Sequence, residues 1–240
     1  MPKKWILYEL GGYRPEAREG GSLTRISVAR NDSSFEDRLY LFGGLGRGLL
    51  SALSYFYITA NGINLILKIG LLINVPVEEG NEQRKRYGHT ASAWEGMLVV
   101  VGGSKRFNKT AKIRECLVDV QVYDPNISQW TELQCAGLEP RRHHVACVVG
   151  RYLVVHGGVS TFGNYLNSMA GLLLGKDPGK DWKQKTYKWF DIKAMGNKPK
   201  KVAYHSMQLV LQYERYGGLL PMDLFSLPEM RGISYRVFVY

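Results

Sequence analysis

Five histidines are the side chains of this chain that could most directly do chemistry, because imidazole serves both proton transfer and metal binding. Three of them, His89, His144 and His205, occupy the same place in successive copies of a recurring segment. Equivalent places in a repeat array lie far apart, so we expect each imidazole to bridge strands within its own copy. His143 is expected to point to the opposite face of its strand from His144. For His156 a place along a central channel is an alternative to a buried strand position, although no second metal ligand can be named for it.

Motifs for covalent catalysis are absent from the sequence, which contains no GxSxG and no cysteine paired with a histidine and an orienting group. The glycine-rich segment GGLGRG at 43–48 follows no βαβ pattern and opens no helix, which argues against a phosphate-binding loop. Cys116, Cys135 and Cys147 form no CxxC pair, which argues against zinc and disulfides and favours a reducing compartment. Cys135 and Cys147 lie in apolar strand settings and are expected in the core. We therefore predict no catalytic residue, no metal and no cofactor.

Composition and charge limit the class of protein and the partners. A chain of 240 residues with 45% hydrophobic content can form one globular domain. Its 32 Lys and Arg against 21 Asp and Glu give a net charge of +11, which favours acidic protein segments, nucleic acid or an anionic lipid surface, or serves solubility alone. The longest apolar stretch, 63–75, contains Lys68 and is shorter than the ~20 residues that a membrane-spanning helix needs. We expect no membrane insertion, no secretory signal and a cytoplasmic location, with association with the cytoskeleton as an option.

The elements that must position these side chains repeat along the chain. Two adjacent glycines follow a short apolar run four times, in LYLFGG, LVVVGG, LVVHGG and, more weakly, YERYGG. The first glycines, at 43, 102, 157 and 217, are 59, 55 and 60 residues apart (102 − 43, 157 − 102 and 217 − 157). RYGHTASAWEGMLVVVGG and RRHHVACVVGRYLVVHGG align without a gap at an offset of 55 (141 − 86). A repeat of this length is one supersecondary unit, which cannot bury its apolar faces alone.

This pattern resembles the kelch repeat, in which a strand opens on Arg-x-x-His and the next strand ends in Gly-Gly. A third strand then ends in Tyr-Asp and a fourth starts near Trp, and VQVYDPNISQW supplies Tyr123, Asp124 and Trp130 at those places. The resemblance implies an all-β fold, a kelch-like β-propeller of about four blades whose ring is incomplete or open. Residues 1–240 are interpreted as one propeller domain, with units at roughly 18–75, 86–136, 141–195 and 202–240 and a leading outer strand at 4–10 that contains Trp5.

Each unit is predicted to contain four strands, labelled a to d in chain order, so that the b–c loop joins the second strand to the third and the d–a loop joins one unit to the next. In the second unit these are RYGHTASAW, MLVVVGG, CLVDVQVYD and SQWTELQ, and the apolar run Met97–Val101 is expected to pack on both of its faces. In the first unit the extra segment ARNDSSFED is expected to be a polar surface loop. The third unit is expected to continue through AGLLLGK and YKWFDIK. In the fourth unit VAYHSMQLVL is the expected first strand, and LPMDLFSLPEM and YRVFVY are candidates for the last two.

Three arrangements of the ring are open: a compact ring of four blades, an open fragment of a six-bladed ring, or a ring completed by another chain, which would make the protein an oligomer. The open fragment is favoured, because the sequence shows no device that would protect unpaired strand edges.

Binding residues gather on loops held by a rigid scaffold, and in proteins that resemble kelch the b–c and d–a loops line the face that contacts partners. The second b–c loop, SKRFNKTAKIRE, has five cations around one aromatic ring, the first has one cation, and the third, VSTFGNYLN, has two aromatic rings. The d–a loops add Arg84 and Lys85 in one place and Lys198, Lys200 and Lys201 in another. The predicted partner-binding residues of the b–c loops are Arg47, Lys105, Arg106, Phe107, Lys109, Lys112, Arg114, Phe162 and Tyr165.

We therefore expect a non-enzymatic module that binds a partner protein, one with acidic or extended segments, through this loop face. Nucleic-acid binding is a disfavoured alternative, because the basic residues are scattered over several loops and the sequence indicates no row of stacked aromatic side chains. A propeller enzyme with an unrecognised pocket is the other alternative, and it would need convergent titratable groups.

Overall fold

The protein is described here by a computed structural model in which every regular element is a β-strand. Its described residues are 15–30, 33–46, 49–50, 53–61, 66–69, 73–74, 85–105, 107–175, 186–193, 200–212 and 234–239. No helix lies within these ranges, and none of the sheets they form is closed. The all-β prediction is confirmed, and so is a kelch-like propeller with an open ring. The unit boundaries proposed from the sequence stay a prediction, and the leading strand at 4–10 with Trp5 lies outside the described residues.

The first sheet is built on a long antiparallel hairpin. Its two main strands pair from Glu19↔Leu45 to Ala29↔Phe35. The surface loop predicted at 29–37 is therefore shorter than expected, because Ala29 and residues 35–37 belong to the strands, while the described residues between them, 30, 33 and 34, are exposed and outside any strand. Alternating polar and apolar residues explain the length, because Ile26 and Val28 are buried while their neighbours face solvent. The sheet comprises β1 (Glu19–Ala29), β2 (Phe35–Gly46), β3 (Leu49–Leu50), β4 (Ser54–Asn61), β5 (Ile66–Ile69) and β6 (Ile73–Asn74), with β1-β2-β4-β5 in spatial order.

The second sheet contains the four strands predicted from the sequence, in sequential antiparallel order. In its outer pair Trp130 lies opposite Tyr123, and their rings are 5.1 Å apart. Both rings pack toward Phe42 and Tyr40 of the first sheet, so these repeat-defining aromatics join neighbouring units. The strands are β7 (Thr90–Trp94), β8 (Met97–Val101), β9 (Val120–Asp124) and β10 (Gln129–Ala136).

The third sheet repeats this order, and its last segment is shared between two sheets. We predicted one strand in YKWFDIK, but the chain changes partner at the buried Trp189. Thr186–Lys188 pairs in parallel with β10 of the second sheet, and Phe190–Asp191 pairs with the third sheet. The strands are β11 (Arg141–Arg142), β12 (Val145–Val149), β13 (Tyr152–His156), β14 (Val159–Ser160), β15 (Met169–Leu173), β16 (Thr186–Lys188) and β17 (Phe190–Asp191); β11 pairs with β14, and β12-β13-β15-β17 form the sheet.

The described residues of the fourth unit, 202–212 and 234–239, contain two strands. β18 (Met207–Gln212) lies in the predicted first strand, and β19 (Ser234–Val239) pairs with it directly, Met207 opposite Val239. The placement of YRVFVY as one of the last two strands is wrong, because a strand paired to the first one takes the second position. The Gly-Gly of this unit, Gly217 and Gly218, and LPMDLFSLPEM lie outside the described residues.

The core lies between successive sheets, as the apolar inner strands predicted. In β8 Leu98 and Val100 pack against the first sheet, whereas Val99 and Val101 pack against the third. Side chains of a strand alternate between its faces, so a strand buried on both faces needs an uninterrupted apolar run. The first strand of each unit contacts the first strand of the next, so β1, β7, β12 and β18 follow one another.

Each of the three Gly-Gly pairs within the described residues joins its unit to the following one through the backbone. The N–H of the second glycine donates to a carbonyl at the start of the next unit: Gly44 to Arg86, 2.8 Å; Gly103 to Arg141, 2.9 Å; Gly158 to Val202, 2.8 Å. The first glycine of each pair lies against the histidine ring of that next unit, where a Cβ atom would be 2.6 to 3.1 Å from the ring.

The three equivalent histidines bridge units and do not bridge strands within one unit, which corrects the prediction. The rings reach back to the preceding unit: His89 Nε2 is 2.8 Å from Ser22 Oγ, His144 Nε2 is 3.0 Å from Thr90 Oγ1, and His205 Nε2 is 3.0 Å from His156 Nδ1. The repeat pattern of Arg-x-x-His and Gly-Gly is thus a junction between units.

Candidate partner-binding face

The tip of the second b–c loop is a hydrogen-bonded turn. Asn108 and Ile113 form a backbone bridge, and Asn108 Oδ1 accepts hydrogen bonds from the N–H groups of Thr110 and Ala111, 3.0 Å each. Lys112 has φ 53°, which completes the tight turn. Lys109 and Lys112 are therefore displayed on an ordered turn and are exposed to solvent.

The third b–c loop presents two aromatic rings from a turn of similar tightness. Ser160 N–H donates to the carbonyl of Asn164 (2.9 Å), and Val159 forms a bridge with Tyr165. Phe162 lies at the tip with 85% of its surface exposed, and Tyr165 is 51% exposed.

Cys116 connects these two loops. Its N–H donates to Thr161 Oγ1 (3.2 Å), and its thiol lies 3.6 Å from the carbonyl of Val159. The Arg142 guanidinium lies 3.3 Å from the sulfur and 3.4 Å from the carbonyl of Ser160. The predicted residues of the second and third loops therefore belong to adjoining surfaces.

A left-handed backbone position recurs immediately before the three junction histidines and, in the first unit, before Gly21, which takes the place of the histidine. Gly20, Gly88, His143 and Tyr204 occupy it with φ of 62°, 64°, 52° and 58°. Backbone hydrogen bonds join them in series: Gly88 N–H to Gly20 O, 2.7 Å; His143 N–H to Gly88 O, 2.6 Å; Tyr204 N–H to His143 O, 3.0 Å. The His143 ring covers Gly88, where a Cβ atom would be 2.8 Å from it. His143 thus lies in a bend between β11 and β12, and the expectation that it belongs to a strand is wrong.

The side chains of His143 and Tyr204 belong to a row of rings and one guanidinium that crosses the second, third and fourth units. We define the aromatic row as Phe107, Arg114, Tyr87, His143 and Tyr204. The Tyr204 and His143 rings are stacked at 4.1 Å, and the His143 and Tyr87 rings meet edge to face at 5.8 Å. The Arg114 guanidinium lies 5.6 Å from the Tyr87 ring centre and 5.8 Å from that of Phe107, and it donates to the Tyr87 hydroxyl.

Tyr87, His143 and Tyr204 were not selected from the sequence, which indicated no row of stacked aromatic side chains; in the structure His143 and Tyr204 form one stacked pair. A signal was available for two of them, because 204 and 143 precede the aligned histidines by one residue, as Gly88 does. A left-handed position that has glycine in other copies favours glycine, so a side chain at that position indicates a contact that offsets the conformational cost.

The positive charge of the aromatic row comes from Arg114 and not from the imidazole of His143. Burial, together with the charges of Arg142 and Arg114, lowers the pKa of His143 to about 4. The ring is therefore neutral near pH 7, which suits face-to-face stacking on Tyr204.

The other predicted positions divide by exposure. Arg47 and Arg106 lie outside the described residues, as do Arg84 and Lys198 of the d–a loops. Lys105 and Lys85 are half-buried, and Arg114 is held between two rings. Exposed cations at the fourth unit's end of the row are Lys200 and Lys201. Phe107 is 43% exposed and Tyr204 71%, so the row is open to solvent at its two ends.

Comparison with known protein families identifies the same repeat that the junctions show in the structure. The model of the family described as KLHDC2/KLHL20/DRC7 Kelch-repeats domain matches residues 2–216. The chain belongs to the kelch-repeat family.

Two curated proteins share part of this kelch sequence. The N-(sulfonatooxy)prop-2-enimidothioate sulfolyase of Thlaspi arvense is 30% identical over 169 residues, 63% of this chain and 42% of that protein. The tRNA wybutosine-synthesizing protein 2/3/4 of Oryza sativa subsp. japonica is 26% identical over 147 residues, 60% of this chain and 12% of that protein. The kelch chain thus spans less than half the length of either relative.

Two solved structures have chains similar to this one, and the first of them shares its fold. A chain in the cryo-EM structure of RAG in complex with one melted and one unmelted RSS has a TM-score of 0.58 at 13% identity, covering 88% of this chain and 60% of that one. The structure of YjhT has a TM-score of 0.43 at 17% identity, covering 74% and 52%. None of the described kelch residues forms a helix long and apolar enough to cross a membrane.

The buried histidines of the kelch junctions do not assemble a metal site in the described part of the chain, where no three His, Cys, Asp or Glu side chains converge. Burial is the main cause of their low basicity: it lowers the pKa of His89 to about 3, with Arg86 contributing, and lowers those of His144 and His205. His156 is fully buried against His205, which corrects the alternative that placed it along a channel.

The His156–His205 contact replaces a hydroxyl that the third unit lacks. Val145 aligns with Thr90 at the offset of 55, so it offers no oxygen to the next unit's histidine. His156 lies directly opposite Val145 across the β12–β13 pair and supplies the partner atom from the other strand. The polar contact at each junction is therefore retained even where its residue changes.

Proposed function

We propose that this kelch domain binds a partner protein through the face formed by its second and third b–c loops and the aromatic row. Kelch-repeat domains are generally protein-interaction modules and not catalysts, which supports the general class. The single observation that carries the proposal is the aromatic row, whose exposed ends, Phe107 and Tyr204, are joined through buried and half-buried members.

The chemistry of this face fits an extended segment with carboxylates and at least one apolar side chain. Phe107, Phe162, Tyr165 and Tyr204 offer large rigid surfaces that lose little conformational entropy on binding. The exposed lysines at 109, 112, 200 and 201 provide attraction at a distance, which raises the association rate of an acidic partner. The net charge of +11 acts in the same direction.

Single-stranded nucleic acid is the second candidate, because a row of rings with a guanidinium is a stacking surface. The contacts within the row argue against it. Tyr87 is buried, and His143 is covered on one face by Tyr204, so bases could stack only at the two ends. The name of the rice relative refers to tRNA, but the similarity covers 12% of that protein.

A catalytic role is a weaker candidate. The sulfolyase name belongs to a relative that is 30% identical over part of its length. In the described residues of this chain the perturbed histidines lie inside junctions and not in a concave site. The free thiols of Cys116, Cys135 and Cys147 fit a cytoplasmic location, which we propose with the binding function.

The test compares variants of exposed residues on the proposed face with variants of exposed residues elsewhere on the domain. Phe162→Ala combined with Lys109→Glu should reduce recovery of partners from a native extract, and should weaken binding of an identified partner by about 30-fold or more, which corresponds to about 2 kcal/mol. Phe35→Ala combined with Lys193→Glu is the matched control, because Phe35 is also a largely exposed phenylalanine but lies on β2. Equal recovery by both double variants would show that this face is not the site. Binding of an oligonucleotide that weakens steeply with salt would favour the second candidate.

A further inference from the structure

Arg86 and Arg141 are the same residue of two successive repeats, and their guanidinium groups are placed alike. Nη1 of Arg86 donates to the carbonyl of Gly102, and Nη1 of Arg141 donates to that of Gly157, both at 3.0 Å. Each arginine has 1% of its surface exposed. A difference between their partners is therefore a difference between two equivalent buried sites.

The partner across the sheet differs in charge. The N–H of Gly102 donates to the carbonyl of Asp119 (3.1 Å), and the N–H of Gly157 donates to that of Ser168 (3.2 Å), so Asp119 and Ser168 are structural equivalents. Asp119 binds both terminal nitrogens of Arg86, 2.7 Å each. Ser168 offers Arg141 one neutral hydroxyl at 3.0 Å.

The residues around the two arginine partners also differ, and those of the third unit are again less polar. Gln121, two residues after Asp119, donates to that carboxylate (2.8 Å), whereas the residue two after Ser168 is Ala170. The third repeat thus replaces a carboxylate and an amide by a hydroxyl and a methyl group.

Within the described residues, the hydrogen-bond acceptors of the buried Arg141 guanidinium are therefore all neutral. In the described part of the chain it donates to the carbonyls of Glu139 and Gly157 and to Ser168 Oγ, which leaves two of its five N–H groups without a protein acceptor. Burial lowers the pKa of Arg141 to about 10, although the negative charge of Glu139 raises it, so Arg141 remains protonated near pH 7. Glu139 compensates this charge without a hydrogen bond to its carboxylate in the described part of the chain, and a buried charge that is only partly compensated is destabilising.

We propose that Arg141 and Ser168 bind one small monovalent anion of halide size, at the place that corresponds to the Asp119 carboxylate in the preceding repeat. One negative charge neutralises one guanidinium, as Asp119 does for Arg86. A partner's side chain is excluded as the occupant, because Arg141 is buried, and phosphate and sulfate are larger and carry more charge than the site requires. The anion stabilises the third unit, and therefore the loop that presents Phe162.

The experiment measures thermal unfolding of the 240-residue chain in sodium bromide, sodium chloride and sodium gluconate at matched ionic strength. The wild-type melting temperature should be higher in bromide or chloride than in gluconate by about 2 to 4 °C, which is the shift expected for about 1 kcal/mol in a chain of this size. Ser168→Asp supplies the missing carboxylate, so this variant should melt higher than wild type in gluconate and should lose the dependence on halide.

Bromide anomalous scattering from crystals of the wild-type protein provides a second measurement that does not depend on a variant. A bromide peak within hydrogen-bonding distance of Arg141 Nη1 or Nη2 supports the proposal. Equal wild-type melting temperatures in halide and gluconate overturn it, as does a halide dependence that persists unchanged in Ser168→Asp, or bromide found only on the surface.

Discussion

Replacing Gly43 with alanine tests the junction between the first two units directly. Gly43 has φ 61°, in the left-handed region, and it lies against the next unit. A Cβ atom there would overlap the carbonyl oxygen of Arg86 and lie 2.6 Å from Cε1 of His89. The first obstacle is backbone, which cannot rotate away as a side chain does.

The expected loss of stability has two parts. Placing an L residue in the left-handed conformation costs about 1 to 2 kcal/mol. Forcing extra volume into a packed contact costs about 1 to 3 kcal/mol. Gly43→Ala should therefore reduce the free energy of unfolding by about 2 to 5 kcal/mol.

Gly163→Ala is the matched control. Gly163 also has a left-handed φ, 83°, but no atom lies within 4 Å of the added Cβ, so only the conformational part applies, about 1 to 2 kcal/mol. Gly102→Ala should fall between them, because its nearest contact, Arg141 O, is 2.8 Å away. Urea unfolding followed by circular dichroism gives the three values. If Gly43→Ala costs no more than Gly163→Ala, the interpretation of Gly-Gly as a junction between units is wrong.

Two further predictions concern charge. Burial and Arg86 lower the pKa of His89 from 6.5 to about 3, so below about pH 6.5 the unfolded chain binds a proton there that the folded chain excludes. The free energy of unfolding should therefore fall as pH decreases from about 7 to about 5, by up to about 1.4 kcal/mol per pH unit. Urea titrations of His89→Gln should show a shallower dependence on pH. Asp119→Asn removes the charge opposite buried Arg86 and should lower the free energy of unfolding by about 3 to 5 kcal/mol, whereas a loss below about 1 kcal/mol in the same urea assay would mean that the ion pair contributes little.

The strands of the middle units could be predicted from the sequence because their pattern is local. Five consecutive apolar residues at Met97–Val101 require burial on two faces, and the structure places them between two sheets. The offset of 55 residues located the repeated Arg, His and Gly correctly.

The partners of those residues could not be predicted, because an offset carries no information on which unit a side chain faces. His89 could reach a strand of its own unit or Ser22 of the preceding one, and only the twist and spacing of the sheets select Ser22. The pairing of β16 with β10 has the same origin, because parallel neighbours come from distant parts of a chain.

The candidate site was predicted in part. Phe107, Arg114, Phe162 and Tyr165 were selected because loops with aromatic and basic residues favour binding, and the structure places them on adjoining loops. Tyr204 was missed because its segment was assigned to a strand, whereas the left-handed backbone before His205 directs its ring onto His143.

The segment that includes β16 and β17 has a mechanical consequence. Within six residues it belongs to two sheets, so a pulling force on this segment loads the second and third sheets at the same time. Thr186–Lys188 runs alongside β10 in the same direction, and strands pulled lengthwise must release their hydrogen bonds together. These two sheets should therefore resist tension as a single block and rupture in one event.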